Sequence, residues 1–213
     1  VGDGPAFGYF INPSKSVLVV KRDKLEAAET IFAGTGVSIT TDGCRHLGSA
    51  IGTDQFVQEF VASKVATWSQ ELCKLTDFAR SQPQAAYSAL VNSLQHRWSF
   101  LCRVLDGAAE QLAPLEDIIH RRLIPAISGR TAPSEAERIL LTFPCRHGGL
   151  GVANPATFGS QYGTSRLITT ALYDKIMAQE EHLDDALACV RRAKSQARSE
   201  ARKAMKIAAD TFR

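Results

Sequence analysis

The chain has 213 residues, of which 45% are hydrophobic and 22% charged, and its formal net charge is +3. These values are ordinary for a globular protein that buries a core without disulfide bonds, and so small a charge does not by itself indicate a nucleic-acid binder. No stretch approaches the ~18 uncharged apolar residues of a membrane helix, so we expect no membrane-spanning helix.

The cysteines and the first residues predict an intracellular protein of the nucleus or the cytoplasm. The five cysteines stand far apart and form no Cys-x-x-Cys pair, which argues against a disulfide framework and favours a reducing compartment. The opening sequence VGDGPAFGYF lacks the basic segment and the apolar run of a signal peptide, so we expect no secretion. The absence of an initiator Met fits a fragment or a processed chain.

The first 53 residues are rich in glycine and in β-branched residues, which predicts a small element of strands and one helix. The helix is expected to be capped by Asp23 and ended near Gly34. A Thr-Asp-Gly sequence indicates a turn between two strands that pair back on each other. The expected elements are a strand over 16–20, a helix over 23–32, and a hairpin of 37–40 with 46–51 around a turn at 41–43.

From residue 54 onward, apolar residues recur at helical spacing and predict a bundle of amphipathic helices. The fourth of these helices is expected to be opened by Pro133, with Glu135 and Glu137 near its positive end. The expected helices cover about 54–80, 87–105, 115–123, 133–141, 156–180 and 182–212. The fold class is therefore α+β and mostly α: a strand, helix and hairpin element (1–53), a helical bundle (54–155) and a C-terminal helical extension with a basic last helix (156–213).

The sequence contains none of the motifs of an autonomous enzyme: no Gly-x-Ser-x-Gly, no phosphate-binding Gly-x-x-x-x-Gly-Lys, and no His-Glu-x-x-His. Two Cys-x-His pairs, Cys44 with His46 and Cys145 with His147, would supply a zinc donor set. Their internal spacing is unusual and about 100 residues separate them. We therefore favour small buried cysteines and exposed histidines, and predict no metal site.

Basic residues are the remaining signal, and they are densest in the last helix. Lys and Arg on a rigid surface can follow a phosphate backbone, although such charges are usually solvated. In the last helix they can equally serve a protein partner or a membrane surface. Trp98 beside Arg97 is a candidate for stacking on a base or a sugar, while its place on the apolar stripe of its helix favours the core.

Three stretches, taken in order, resemble the reverse transcriptases of retroelements, especially those of the non-long-terminal-repeat type. The resemblance covers about residues 4–155. The first stretch is similar to the motif that follows the catalytic aspartates, the second to the hairpin that grips the primer terminus, and the third to the thumb and the short segment after it. These stretches are GYFINPSKSVLVV (8–20, with Gly8, Asn12, Lys15 and Ser16 at the motif positions), HLGSAIG (46–52), and 64–103 followed by LTFPCRHGGLGV (141–152).

The resemblance implies the palm end (1–53) and thumb (54–155) of an RNA-directed DNA polymerase, whose catalytic aspartates would precede Val1. We therefore expect no polymerisation by this chain alone and no cofactor bound by it, while the intact enzyme would use Mg²⁺. The partners implied are an RNA template and a DNA primer, or an RNA–DNA hybrid, with deoxynucleoside triphosphates as substrates. Lys15 would donate a proton to the leaving pyrophosphate; the alternative is a surface lysine that caps a turn.

The resemblance also implies direct nucleic-acid contacts. His46, Leu47 and Gly48 would position the primer end, with Gly48 allowing close approach of the backbone unless it is an ordinary hairpin glycine. The thumb would hold the duplex through its shape and its phosphates. The candidate residues for that contact are Lys64, Arg97, Trp98, Arg103, Arg121 and Arg122.

Other functions stay open at this point. The chain can be a domesticated RNA- or DNA-binding module, a helical protein-interaction domain without enzymatic activity, or an inert remnant. Binding that weakens steeply with salt would favour the first, and binding through an apolar patch with little salt dependence would favour the second. The oligomeric state, the element type and the template preference are not specified by the sequence.

Overall fold

A computed structural model of the chain describes residues 4–8, 10, 12–179 and 183–211. It is mostly helical with a small amount of strand, which confirms the predicted α+β, mostly α class. The chain divides into two compact units, Val1–Val61 and Ala62–Arg213. The division into three segments that the sequence suggests stays a prediction.

The first unit contains a parallel strand pair and a hairpin. The parallel pair is β1 with β2, in which Leu18 lies opposite Ile39, and α1 connects the two strands. In the hairpin, β3 and β4 run antiparallel with Arg45 opposite Ala50. The elements are β1 (Val17–Val19), α1 (Leu25–Ile31), β2 (Ser38–Thr40), β3 (Gly43–His46) and β4 (Ser49–Gly52).

The predicted pairing of 37–40 with 46–51 is wrong. Residues 38–40 pair with β1, because parallel strands need a crossover connection and α1 supplies it. The hairpin instead closes at Leu47-Gly48, a two-residue turn between β3 and β4, and the predicted turn at 41–43 only links β2 to β3. Short β-rich runs predict strands, but they do not specify which strands pair.

Asp23 does not cap α1 as the sequence suggests. A 3₁₀ turn, Arg22–Lys24, precedes the helix and contains Asp23, so the N-cap position falls to Lys24, which makes no side-chain cap hydrogen bond. The carboxylate of Asp23 lies 3.8 Å from the ammonium of Lys24 on the surface. Such an exposed pair contributes little to stability.

The second unit is a helical bundle, and the boundary between the two units falls within α2. Where the structure describes them, the helices that apolar spacing predicts are all present. Two pairs of helices are joined through π-helical turns, Leu90–Leu94 and Ile119–Leu123, which a period of 3.6 residues cannot reveal. The helices are α2 (Asp54–Ala79), α3 (Pro83–Ala89), α4 (Gln95–Val104), α5 (Ala113–Ile118), α6 (Ile124–Ser128), α7 (Glu135–Thr142), α8 (Pro155–Met177) and α9 (Leu183–Thr211).

The core of the second unit is formed by the predicted apolar stripes. Helix α8 packs on α4 and α5, and α9 packs on α8, so the C-terminal extension belongs to the same unit as the bundle. Burying such stripes against one another is what stabilises helices of this length in water. Side chains with essentially no exposed surface include Leu72, Leu90, Leu101, Leu112, Leu115, Ile119 and Leu123.

Helix α7 begins with a capping box that the sequence analysis did not identify. Ser134 is the N-cap residue: its backbone N–H donates to the Glu137 carboxylate at 2.7 Å, and its hydroxyl accepts from the Glu137 N–H at 3.3 Å. The sequence contains the Ser-x-x-Glu pattern of this motif. Pro133 precedes the cap and therefore lies outside the helix that it was expected to open.

The capping box makes the stability of the chain depend on pH. Hydrogen bonds from the backbone and the hydroxyl of Ser134 lower the pKa of Glu137 below its ordinary value of 4.5. A carboxylate with a depressed pKa stabilises the fold above its ordinary pKa, and this stabilisation is lost as the pH falls through the folded-state pKa. We expect the stability advantage of the native chain over Glu137→Gln to be constant near neutrality and to shrink below pH 4.5 in urea titrations. An advantage that does not change with pH would contradict this prediction.

Candidate nucleic-acid interface

The turn of the β3–β4 hairpin presents the three residues that the sequence analysis assigned to the primer end. His46 ends β3, and Leu47 and Gly48 form the turn with φ angles of 46° and 82°. Two consecutive positive φ angles define the turn type that best matches the twist of a hairpin. All three residues are exposed, so the structure brings them together at one surface.

Leu47 is unusual in this turn. A side chain with a Cβ atom in the left-handed region costs roughly 1–2 kcal/mol, and Asn, Asp or Gly would fill the position with less strain. The Leu47 side chain is nevertheless 85% exposed, so it gains no burial in this chain that offsets the strain. A strained backbone that persists at an exposed loop tip makes Leu47 a candidate functional residue.

Lys15 is exposed at the end of the 3₁₀ turn Pro13–Lys15, where its backbone N–H donates to the Asn12 carbonyl at 3.1 Å. The Asn12 side chain accepts a hydrogen bond from the Ser14 hydroxyl at 2.7 Å, which helps to fix the turn. An exposed ammonium beside a turn is compatible with both functions considered for this lysine. Its role as a proton donor stays a prediction.

Two of the candidate thumb cations form ion pairs. Arg97 donates to both carboxylate oxygens of Glu71, at 2.6 and 2.9 Å. Arg121 forms an exposed pair with Asp117, one helical turn before it, at 2.8 Å. A phosphate would have to compete with these carboxylates, so neither arginine is an open phosphate site.

The other candidate cations also have partners. Arg103 lies over the ring of Tyr162 at 5.6 Å, and Lys64 is half-buried with an interaction partner in the chain. Arg122 donates to the Cys73 sulfur at 3.3 Å.

Arg97 and Arg122 do not share one surface. Arg97 contacts Glu71 and Arg122 contacts Cys73, on either side of the fully buried Leu72 of α2. Side chains two positions apart on a helix point in different directions, so the two arginines lie on different flanks of α2. The structure therefore does not bring the candidate thumb residues together as one site.

Trp98 is a core residue, and its assignment as a stacking residue is corrected. Its side chain has 0% exposure and meets Trp68 edge-to-face, with ring centroids 6.1 Å apart and an angle of 64° between the planes. The indole nitrogen has no hydrogen-bond partner in the described part of the chain. A ring that is fully buried cannot stack on a base.

The glycine-rich segment after the bundle is held by buried structural contacts. Arg138 of α7 is 2% exposed; it binds Glu116 and donates to the carbonyls of Val152 at 2.8 Å and Ala153 at 3.1 Å. A Cβ at Gly149 would overlap the Phe143 carbonyl oxygen, so this position has room only for glycine. The LTFPCRHGGLGV segment is therefore packed against the bundle by these contacts, and Arg146 is exposed on it.

Tyr87 fixes the same segment from the side of α3. Its hydroxyl donates to the Leu150 carbonyl at 2.6 Å. Burial and then the neighbouring Cys145 raise the pKa of Tyr87, so the hydroxyl keeps its proton and remains a donor at neutral pH.

Within the described residues, no three or more His, Cys, Asp and Glu side chains lie close enough together to hold a metal ion. The expected buried cysteines and exposed histidines are not all found: Cys44 is half-buried and Cys145 exposed, while His46 is exposed and His147 half-buried. In the same part of the chain, no helix combines the length and apolar character needed to cross a bilayer.

The basic residues of α9 lie outside the site residues that the resemblance implies. In the part of the chain that the structure describes, none of them has an ion-pair or hydrogen-bond partner. They are Arg191, Arg192, Lys194, Arg198, Arg202, Lys203 and Lys206. The signal was available in the sequence, since Glu200 is the only acid between residues 191 and 206.

Comparisons with protein-family models, with curated proteins and with solved structures found no match.

Proposed function

We propose that this chain is the palm end and thumb of a reverse transcriptase of a non-long-terminal-repeat retroelement, and that its part is to hold the RNA template and DNA primer. The observation that carries the proposal is the hairpin turn, where exposed Leu47 adopts a strained conformation between His46 and Gly48. The order of the three resembling stretches supports the attribution. The catalytic aspartates and Mg²⁺ would belong to the rest of an intracellular enzyme.

The test compares two substrates with the 213-residue chain: an RNA–DNA hybrid with a recessed primer 3′ end, and the same hybrid with blunt ends. Fluorescence anisotropy is expected to show tighter binding of the recessed end. Leu47→Asn should lower that preference by roughly fivefold to tenfold, because partial burial of an exposed Leu contributes about 1–1.4 kcal/mol. The same variant should melt no lower than the native chain, since Asn tolerates the left-handed conformation better.

The matched control is Ile31→Asn, which removes another exposed apolar side chain of the first unit, on α1 instead of the hairpin. It should leave the preference for the recessed end unchanged. Equal affinity of the native chain for the two substrates, or an equal effect of the two variants, would refute the primer-holding function.

A second candidate is a nucleic-acid-binding module that works without any polymerase. The unpaired cations of α9 favour it, because binding through them needs no primer end. Strong binding of hybrid with no preference between recessed and blunt ends would select this function over the first.

A further inference from the structure

Helix α9 concentrates the positive charge of the chain. Between residues 191 and 206, seven Lys and Arg stand against one acid, Glu200. The whole chain has 25 bases and 22 acids, so 18 bases and 21 acids remain outside this segment. The small net charge of the whole chain is therefore the sum of a strongly basic segment, 191–206, and a slightly acidic rest of the chain.

Five of the seven cations form a row along one side of α9, here called the basic stripe: Arg191, Lys194, Arg198, Arg202 and Lys206. Residues three or four apart on a helix lie above one another, so this spacing produces a line of charges instead of a ring. At 1.5 Å per residue, the stripe is about 22 Å long. Arg192 and Lys203 lie on another side of the helix.

The packed side of α9 adjoins the stripe and holds the helix in place, and Lys194 of the stripe is itself half-buried while the other four stripe residues are exposed. Ala186 and Ala209 are buried, and Val190, Ala193 and Ala197 are half-buried where α9 packs on α8. The stripe is therefore presented by an element that is fixed along its length.

Four arginines elsewhere in the second unit contrast with the stripe. Arg97, Arg121, Arg138 and Arg166 each bind a carboxylate, whereas no stripe residue has such a partner in the described part of the chain. Unpaired cations held in a row repel one another, and they gain most from a partner that carries evenly spaced negative charge.

We propose that the basic stripe of α9 binds the phosphate backbone of a nucleic-acid duplex. A membrane surface fits less well, because an interfacial helix buries an apolar face in lipid and this face of α9 is already packed on α8. The large apolar side chains exposed on the described part of α9 are Leu187 and Ile207, at opposite ends of the helix.

A single strand is also a poorer partner than a duplex. Proteins that hold single strands stack bases on aromatic side chains, and residues 183–211 contain no Phe, Tyr or Trp. Contacts from Lys and Arg alone read no sequence, so the stripe is expected to bind duplexes of different sequence equally well. The inference rests on the proposed function only in taking nucleic acid as the partner, since the stripe does not involve the hairpin.

The test is the salt dependence of binding to a 20-base-pair RNA–DNA hybrid, measured by anisotropy with the 213-residue chain. Five phosphate contacts predict about a 500-fold loss of affinity between 50 and 200 mM salt. Arg198→Gln with Arg202→Gln removes two contacts, and the loss should fall to about 40-fold. The matched control, Arg192→Gln with Lys203→Gln, removes the same charge from the other side of α9 and should keep the native dependence.

Equal effects of the two double variants would overturn the proposal, because they would indicate attraction by total charge alone. Competition by phosphatidylserine vesicles as strong as competition by unlabelled hybrid would also overturn it, in favour of a lipid surface. If the stripe variant behaves as expected while Leu47→Asn leaves the end preference unchanged, the primer-holding function fails and the backbone-binding stripe stands.

Discussion

Glu116→Ala is expected to lower the free energy of unfolding by about 3–5 kcal/mol, which is the cost of leaving a buried charge without its partner. The partner is Arg138, whose guanidinium binds both carboxylate oxygens of Glu116 at 2.7 Å. The side chains are only 2% and 15% exposed, so the guanidinium left without its carboxylate is largely shielded from bulk water. Urea denaturation of the two proteins measures the difference.

Asp117→Ala is the matched control, because Asp117 is the next residue of the same helix and also pairs with an arginine. That pair is exposed, with side chains 61% and 74% accessible, so its loss should cost no more than about 0.5 kcal/mol. Equal destabilisation by the two variants would contradict the assignment of Arg138–Glu116 as the buried pair of the bundle.

The double variant Glu116→Ala, Arg138→Met distinguishes the cost of the unpaired Arg138 charge from the cost of losing its hydrogen bonds. It should be more stable than Glu116→Ala alone, because it removes the uncompensated cation. Recovery should be incomplete, since the carbonyls of Val152 and Ala153 lose their donor. A double variant that is less stable than the single one would show that the hydrogen bonds to these carbonyls outweigh the cost of the unpaired charge.

The longer helices of the second unit were predictable because length makes helical periodicity reliable, whereas the short α6 (Ile124–Ser128) was not predicted. The short strands of the first unit do not allow their pairing to be predicted in the same way. Strands of three or four residues show where extended backbone occurs, but the partner of β2 depends on the crossover through α1. The Ser-x-x-Glu pattern of the capping box at Ser134 is present in the sequence, and it specifies the start of α7 better than Pro133 does.

The candidate interface was less predictable than the fold. The ion pair between Arg97 and Glu71 joins residues 26 positions apart, so nothing local in the sequence reveals it. Arg121 and Asp117 stand four apart on one helix, a spacing from which pairing can be expected. The hairpin residues 46–48 could be grouped in advance because they are consecutive, whereas the strain at Leu47 became visible only once φ was known.

Trp98→Ala is expected to destabilise the chain by about 3–5 kcal/mol, the usual cost of emptying the site of a buried aromatic ring. Trp98→Phe should stay within about 1 kcal/mol of the native chain. The indole N–H has no partner within the described residues, so the change to Phe loses no hydrogen bond and removes a buried unpaired donor. Thermal and urea denaturation would measure both variants, and a Phe variant as unstable as the Ala variant would contradict this account of the core.

The same residue allows a direct test of stacking. In Trp68→Phe, Trp98 is the only remaining tryptophan of the chain, so the fluorescence reports it alone. A ring with 0% exposure should emit at short wavelength, resist quenching by iodide and keep its intensity when RNA–DNA hybrid is added. Quenching by bound hybrid would mean that the bundle opens and exposes the ring. Trp98 would then again be a candidate residue for nucleic-acid binding.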